Sequence, residues 1–131
     1  PELIWSDWLG LGIWLVSVIG TGVADAQLNA FRRNPDNADR VCRRGLWRYS
    51  RHPNYFFEWI HWWAYVAIGF SGDWGLLTLL GPAVMLYFLL KVTGIPITEK
   101  ALVRSRGAAY EEYQGTTSAF VPLPPKKEGA S

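Results

Sequence analysis

The sequence predicts an all-α protein, a multi-pass transmembrane helical bundle of about three membrane helices followed by a cytoplasmic amphipathic helix. Apolar residues come in blocks. Residues 8–24 and 74–90 carry no charged side chain, and 59–72 carries only His61 as a possible charge. A membrane span needs about 20 mostly apolar residues, and each block reaches that length with its flanks. The mean hydropathy of +0.03 conceals this because polar stretches separate the blocks. The positive charge is also sorted. None of the thirteen Lys and Arg precedes Arg32, and none lies between Arg51 and Lys91. Helices over 4–31, 54–70 and 73–92 put all of them on one side, which the positive-inside rule makes cytoplasmic.

Along the chain, the first helix is expected to stop at Asn34–Pro35. Residues 36–51 form an Arg-rich loop interrupted by Gly45. Pro53 suits the first turn of the second helix, where its missing N–H costs nothing. The tight outer turn falls at Ser71, Gly72 and Asp73. Pro82 should kink the third helix, and Gly94 and Pro96 should end it. Residues 98–114 set Ala101, Leu102 and Ala109 against Lys100, Arg104, Glu111 and Glu112, as in an interfacial amphipathic helix. The membrane-embedded domain is expected over 1–122, with a flexible tail over 123–131. Cys42 is the sole cysteine, so no internal disulfide can form. The first block lacks the basic start of a signal peptide and has Glu2 and Asp7 in its place. The chain is expected to be a segment of a longer protein.

Polar groups at membrane depth are costly and therefore candidates for function. Thr21, Asp25, Asn29 and Arg32 share one face of the first helix. Glu58 and His61 share a face of the second, with Tyr65 one turn on. A Glu-x-x-His pair can be half of a di-iron site. The second pair is missing, since His52 is the only other histidine, so no metal is expected. Glu58 paired with an Arg of the loop is the plainer alternative. The loop itself gathers Arg48, Tyr49, Arg51, His52, Asn54 and Tyr55. Arg forks hold phosphates, and aromatic rings with Asn can hold a heterocycle and a ribose. An anionic nucleotide and an anionic lipid surface remain equal readings on composition. A loop this short beside a membrane argues against nucleic acid.

The string from Gly45 to Phe56 (Gly-Leu-Trp-Arg-Tyr-Ser-Arg-His-Pro-Asn-Tyr-Phe), followed by Glu58, resembles the C-terminal domain of the steroid 5α-reductase-like family, notably its bacterial members of undefined substrate. The resemblance extends to Val23–Gln27, Gly94–Lys100, Tyr110–Tyr113 and Thr117–Pro122. The Arg-His-Pro-x-Tyr core is shared with sterol reductases and isoprenylcysteine carboxyl methyltransferases. The resemblance implies NADPH-dependent reduction of a carbon–carbon double bond conjugated to a carbonyl, in a steroid- or lipid-like substrate, at a bacterial inner membrane. Carried over by position, Asp25 and Arg32 bind the cofactor, and Arg51, His52, Asn54, Tyr55 and Glu58 line its cavity. Lys91 and Glu99 are weaker carry-overs. The carbonyl-polarising Tyr and Glu of the family lie in an N-terminal half outside this chain, so no catalytic residue is assigned here. Phe57 stands where the family has Gly, and a ring there is expected to alter the cavity. Two rivals remain: an S-adenosylmethionine-dependent methyltransferase, which usually has adjacent glutamates where this chain has Thr98-Glu99-Lys100, and a non-catalytic membrane module.

Overall fold

The computed structural model describes residues 4–70 and 72–126. Glu2, Ser71 of the expected outer turn and the tail beyond Lys126 lie outside the described residues. The described residues form helices and turns without a strand, apart from an isolated bridge between Ser50 and Ser118.

Helix α1 runs Trp5–Arg33. Its 29 residues reach about 43 Å at about 1.5 Å per residue. Asp7 accepts the Ile4 N–H at 3.0 Å at the start. Arg32 and Arg33 face the negative end of the helix dipole in the last turn. The expected stop is present: Asn34 leaves the helix with extended backbone, and its side chain accepts the Asp36 N–H at 3.0 Å. The buried face is built from small residues, Ser6, Gly10, Ser17, Gly20 and Ala24, which let a neighbouring helix approach closely.

That neighbour is α2, Pro53–Gly69, which opens at Pro53 as expected. A methyl group on Gly10 would meet Ile68 and one on Gly20 would meet the Phe57 ring, so the two helices are antiparallel. The ring of Phe57 occupies the space over Gly20, where an added carbon would lie 2.3 Å away. Phe57 therefore fills the helix interface rather than a cavity. Its size is absorbed by a glycine on the facing helix.

The third segment departs from a single kinked helix. A 3-10 turn over Gly75–Leu79 leads into α3, Leu80–Tyr87, and a π-turn follows over Phe88–Val92. Pro82 sits in the first turn of α3, three residues after the 3-10 turn ends. Its carbonyl accepts Trp59 Nε1 at 2.9 Å, tying α3 to α2. After a bend at Thr93, α4 runs Gly94–Arg106 and α5 runs Ala108–Thr116. The expected single amphipathic helix over 98–114 is thus two helices. Gly107 divides them at φ +58, a conformation that breaks a helix and suits glycine.

Two helical segments are long and apolar enough to cross a membrane, α1 and the stretch Gly75–Arg106. The second has 32 residues, more than the roughly 20 a span requires. Its apolar part ends near Val92, which leaves most of α4 beyond the span. α2 has 17 residues, about 25 Å, so length and composition mark two of the three expected spans and leave α2 unmarked. In a soluble protein such helices would be mostly buried. Here only 22% and 17% of their apolar windows are covered, and Trp5, Ile19, Trp74 and Leu76 stand exposed. This is the surface of a membrane protein.

The end of α1, the start of α2 and the end of the third segment lie together. A core of Ala24, Phe31, Cys42 and Trp47 caps this end, and Trp47 Nε1 donates to Ala24 O at 2.9 Å. The chain after α5 returns across it. Arg51 N–H donates to Ser118 O at 2.8 Å and Ser50 Oγ to Phe120 O at 2.7 Å. Leu123 N–H and Lys126 N–H donate to Tyr49 O and Thr116 O, so the described start of the expected tail is tied to the body.

Candidate functional site

The seven residues expected to bind a cofactor divide between two cavities. Arg32, Arg51, His52, Asn54 and Tyr55 line a cavity of about 440 Å³ at the basic end. Asp25 and Glu58 line a second, also about 440 Å³, closer to the middle of the helices. The seven residues thus line two neighbouring spaces, five at the basic end and two further in. They follow one another along the α1–α2 groove. Asn54 and Glu58 are one turn apart on α2, and Leu28 and Asp25 are about one turn apart on α1.

The first cavity is strongly cationic. Arg32, Arg40, Arg51 and Arg106 line it, and among the described residues no Asp or Glu does. Its volume lies within the roughly 300–1,000 Å³ typical of small-molecule sites. The His52 and Tyr55 rings stack at 5.4 Å and 17° and give it an aromatic wall. Asn54 Oδ1 is buried without a hydrogen-bond partner among the described residues. Cys42, Trp47, Tyr110 and Tyr113 complete the floor. Burial pushes the Cys42 thiol upward, so it stays protonated.

Behind this wall lies a cluster centred on Glu99 of α4. Its carboxylate is ion-paired with Arg51 and accepts from Tyr110. It also meets His52 Nε2 at 3.0 Å and Gln114 Nε2 at 3.2 Å. Burial acts to raise the Glu99 carboxyl, but the bonds from His52 and Tyr110 and the charge of Arg51 win, holding it at about 2. The Tyr110 hydroxyl is pushed up, first by burial and then by its bond to Glu99. Tyr113 is likewise raised by burial, and it donates to Ser50 O at 3.1 Å. The alternative of an ion pair between Glu58 and a loop arginine is corrected here: among the described residues the loop arginines' ion pairs run from Arg51 to Glu99 and from Arg43 to Glu112, and none reaches Glu58.

The second cavity has the opposite character. Ser17, Thr21, Asp25, Glu58 and His61 supply its polar groups, and among the described residues no Lys or Arg lines it. Val18, Trp62 and Met85 supply apolar walls. His61 Nε2 lies 2.7 Å from the Tyr65 hydroxyl, and Thr21 Oγ1 donates to Ser17 O at 2.8 Å. Among the described residues, no three His, Cys, Asp or Glu side chains are grouped to hold a metal.

Arg40, Arg106, Tyr110 and Gln114 were not singled out by the sequence. The charge sorting around Arg40 and the string at Tyr110 were its only signals. Nothing local points Gln114 at Glu99.

Fold and site together define an all-helical membrane protein with an anion-suited cavity at its basic end. The chain belongs to the family of proteins of unknown function DUF1295, which matches residues 1–117 and is associated with steroid 5α-reductase-like proteins. It is similar to the uncharacterized protein C9.08c of Schizosaccharomyces pombe (strain 972 / ATCC 24843), at 34% identity over 89 residues, covering 56% of this chain. The matched part is 32% of that relative, so this chain spans about a third of its length. No solved structure matches the chain.

Proposed function

We propose that this chain is the cofactor-binding portion of an NADPH-dependent membrane reductase acting on a carbon–carbon double bond conjugated to a carbonyl, in a steroid- or lipid-like substrate. The observation that carries this reading is the first cavity, lined by Arg32, Arg40, Arg106 and the Glu99-paired Arg51, with no carboxylate on its lining among the described residues. Such a lining suits a polyanion, because Arg forks bind phosphate oxygens with charge-assisted hydrogen bonds. It is a poor setting for the sulfonium of S-adenosylmethionine, because Arg32, Arg40 and Arg106 repel a cation even with Arg51 paired to Glu99. The same observation favours a ligand site over a mere lipid anchor, because a headgroup contact needs no enclosed aromatic wall.

Arg32 and Arg40 hold the phosphates in this reading, and the Tyr55 ring, backed by the buried His52 ring, takes a flat heterocycle. Asp25 and Glu58, one turn further along, accept hydrogen bonds from the uncharged end of the dinucleotide. The bound nicotinamide supplies hydride for the reduction, while these side chains bind and orient it. α2, flanked by Phe70, serves as a third span, and the basic end faces the cytoplasm. The substrate pocket and the carbonyl-polarising groups come from the rest of a longer protein.

The test is a titration of the purified full-length protein in detergent with NADPH and with S-adenosylmethionine. The reading expects NADPH to bind and S-adenosylmethionine not to. Binding of S-adenosylmethionine alone would overturn it, and binding of neither would favour the non-catalytic module. For topology, a cysteine in Gly72→Cys should react with an impermeant reagent from the non-cytoplasmic side. Reaction from the cytoplasmic side alone would refute three spans.

A further inference from the structure

Glu99 is reached by donors from both ends of the domain. Arg51 and His52 come from the turn before α2, and Tyr110 and Gln114 from α5. Arg51, His52 and Tyr110 line the first cavity, whereas Glu99 lines a separate shallow surface on the far side. Its carboxylate stands behind the wall rather than in it. Arg51 is held a second way, since its Nε donates to Thr117 O at 3.1 Å and its backbone N–H to Ser118 O at 2.8 Å. The His52 side chain is almost fully covered, at 3% exposure, against 14% for Glu99.

A carboxylate so placed can act in two ways. It can be a competing counter-ion that keeps Arg51 from a ligand, or it can fix the wall residues in the geometry that the ligand meets. The engagement of four separate donors favours the second. A competitor needs only the arginine, and it would stand on the cavity side.

We propose that Glu99 is a positioning residue of the anion cavity, setting Arg51 and His52 from behind and coupling the wall to α4 and α5. The ligand's identity rests on the dinucleotide reading, but the wall geometry does not. Arg51 then serves as a braced part of the wall, and Arg32 and Arg40 as the freer phosphate contacts. Misplacing such a wall by about 1 Å can cost a factor of up to about 100.

The test uses two readouts on the full-length protein in detergent. The first needs no ligand: Cys42 lines the same cavity and is buried, so its alkylation rate, followed by mass spectrometry of its peptide, reports the order of the wall. The second is the NADPH dissociation constant. For Glu99→Gln, Cys42 should react about ten-fold faster and NADPH should bind about ten-fold more weakly. Lys100→Gln, on the exposed side of α4, should match the parent in both. Tighter NADPH binding by Glu99→Gln would make Glu99 a competing counter-ion and overturn the proposal. Unchanged labelling with unchanged affinity would also overturn it. Faster labelling in a protein whose parent form binds no NADPH would uphold the positioning role and sink the dinucleotide reading instead. Should Glu99→Gln fail to fold, Glu99→Asp keeps the charge on a shorter arm and is read by the same two criteria.

Discussion

The two cavities have the same volume and opposite chemistry. At the basic end, four arginines line about 440 Å³ with no carboxylate among the described residues. Further into the helices, Asp25 and Glu58 line about 440 Å³ with no arginine or lysine among the described residues. The difference teaches that charge is sorted twice in this protein. In the three-span reading proposed above it is sorted across the membrane, and it is sorted again along the groove between α1 and α2. An extended ligand with a polyanionic end and an uncharged end matches that order. A ligand charged throughout does not.

The largest expected effect breaks the first cavity. Arg32→Ala combined with Arg40→Ala should weaken NADPH binding by roughly 100-fold or more, since hydrogen bonds between charged groups contribute about 1.5–3 kcal/mol each. Fluorescence titration reads it. Retained affinity would remove both arginines from the site.

Next is the packing that separates the cavities from the helix interface. Gly20→Leu should drive the side chain into Phe57 and cost about 2 kcal/mol by overpacking. Adding Phe57→Gly should recover part of that in a thermal unfolding assay. A harmless Gly20→Leu would show that the ring does not fill the space over Gly20.

A pH titration separates the Glu99 cluster from both cavities. The folded Glu99 carboxyl sits at about 2, below its ordinary value of 4.5. A depressed carboxylate stabilises the fold above its unfolded value and loses that contribution as pH falls toward the folded one. A share on the order of 2 kcal/mol should disappear between about pH 5 and about pH 2. Glu99→Gln should flatten that part of the curve. An identical acid limb in both proteins would count against the cluster.

The smallest effects concern the two glycines with positive φ. Gly45 has φ +59, and an added carbon would strike the Gln27 side chain, whose Oε1 accepts the Leu46 N–H at 2.9 Å. Gly107 has φ +58 and open space. Gly45→Ala should cost about 2 kcal/mol, and Gly107→Ala, at ψ −128 outside the left-handed helical well, about 2 kcal/mol as well. Only Gly45→Ala should disturb ligand binding, because the Gln27–Leu46 bond anchors the loop beside Trp47.

Much of the frame was legible because it rests on local rules. Asn34–Pro35 ended one helix and Pro53 began the next, as their backbone chemistry requires. The break at Gly107 was missed because one glycine within a polar helical pattern does not reveal its sign of φ. The 3-10 turn before Leu80 was not legible, because it depends on how the chain enters the third segment. In the site, the loop residues from Arg51 to Tyr55 were legible by motif and charge. Their separation from Glu58 was not, because it depends on where the helices touch and on which glycine receives Phe57. The Glu99 cluster joins residues nearly fifty positions apart in sequence and leaves no periodic trace.

The central claim is that the groove holds a polyanion at Arg32 and an uncharged ring near Glu58. The most direct measurement compares NADPH with the same dinucleotide lacking its nicotinamide ring, binding to Arg32→Ala and to Glu58→Gln in the full-length protein. Arg32→Ala should weaken both ligands alike, and Glu58→Gln should weaken NADPH alone. If Glu58→Gln weakened both ligands equally, or if Arg32→Ala spared both, the ordering of the two cavities along one ligand would be wrong.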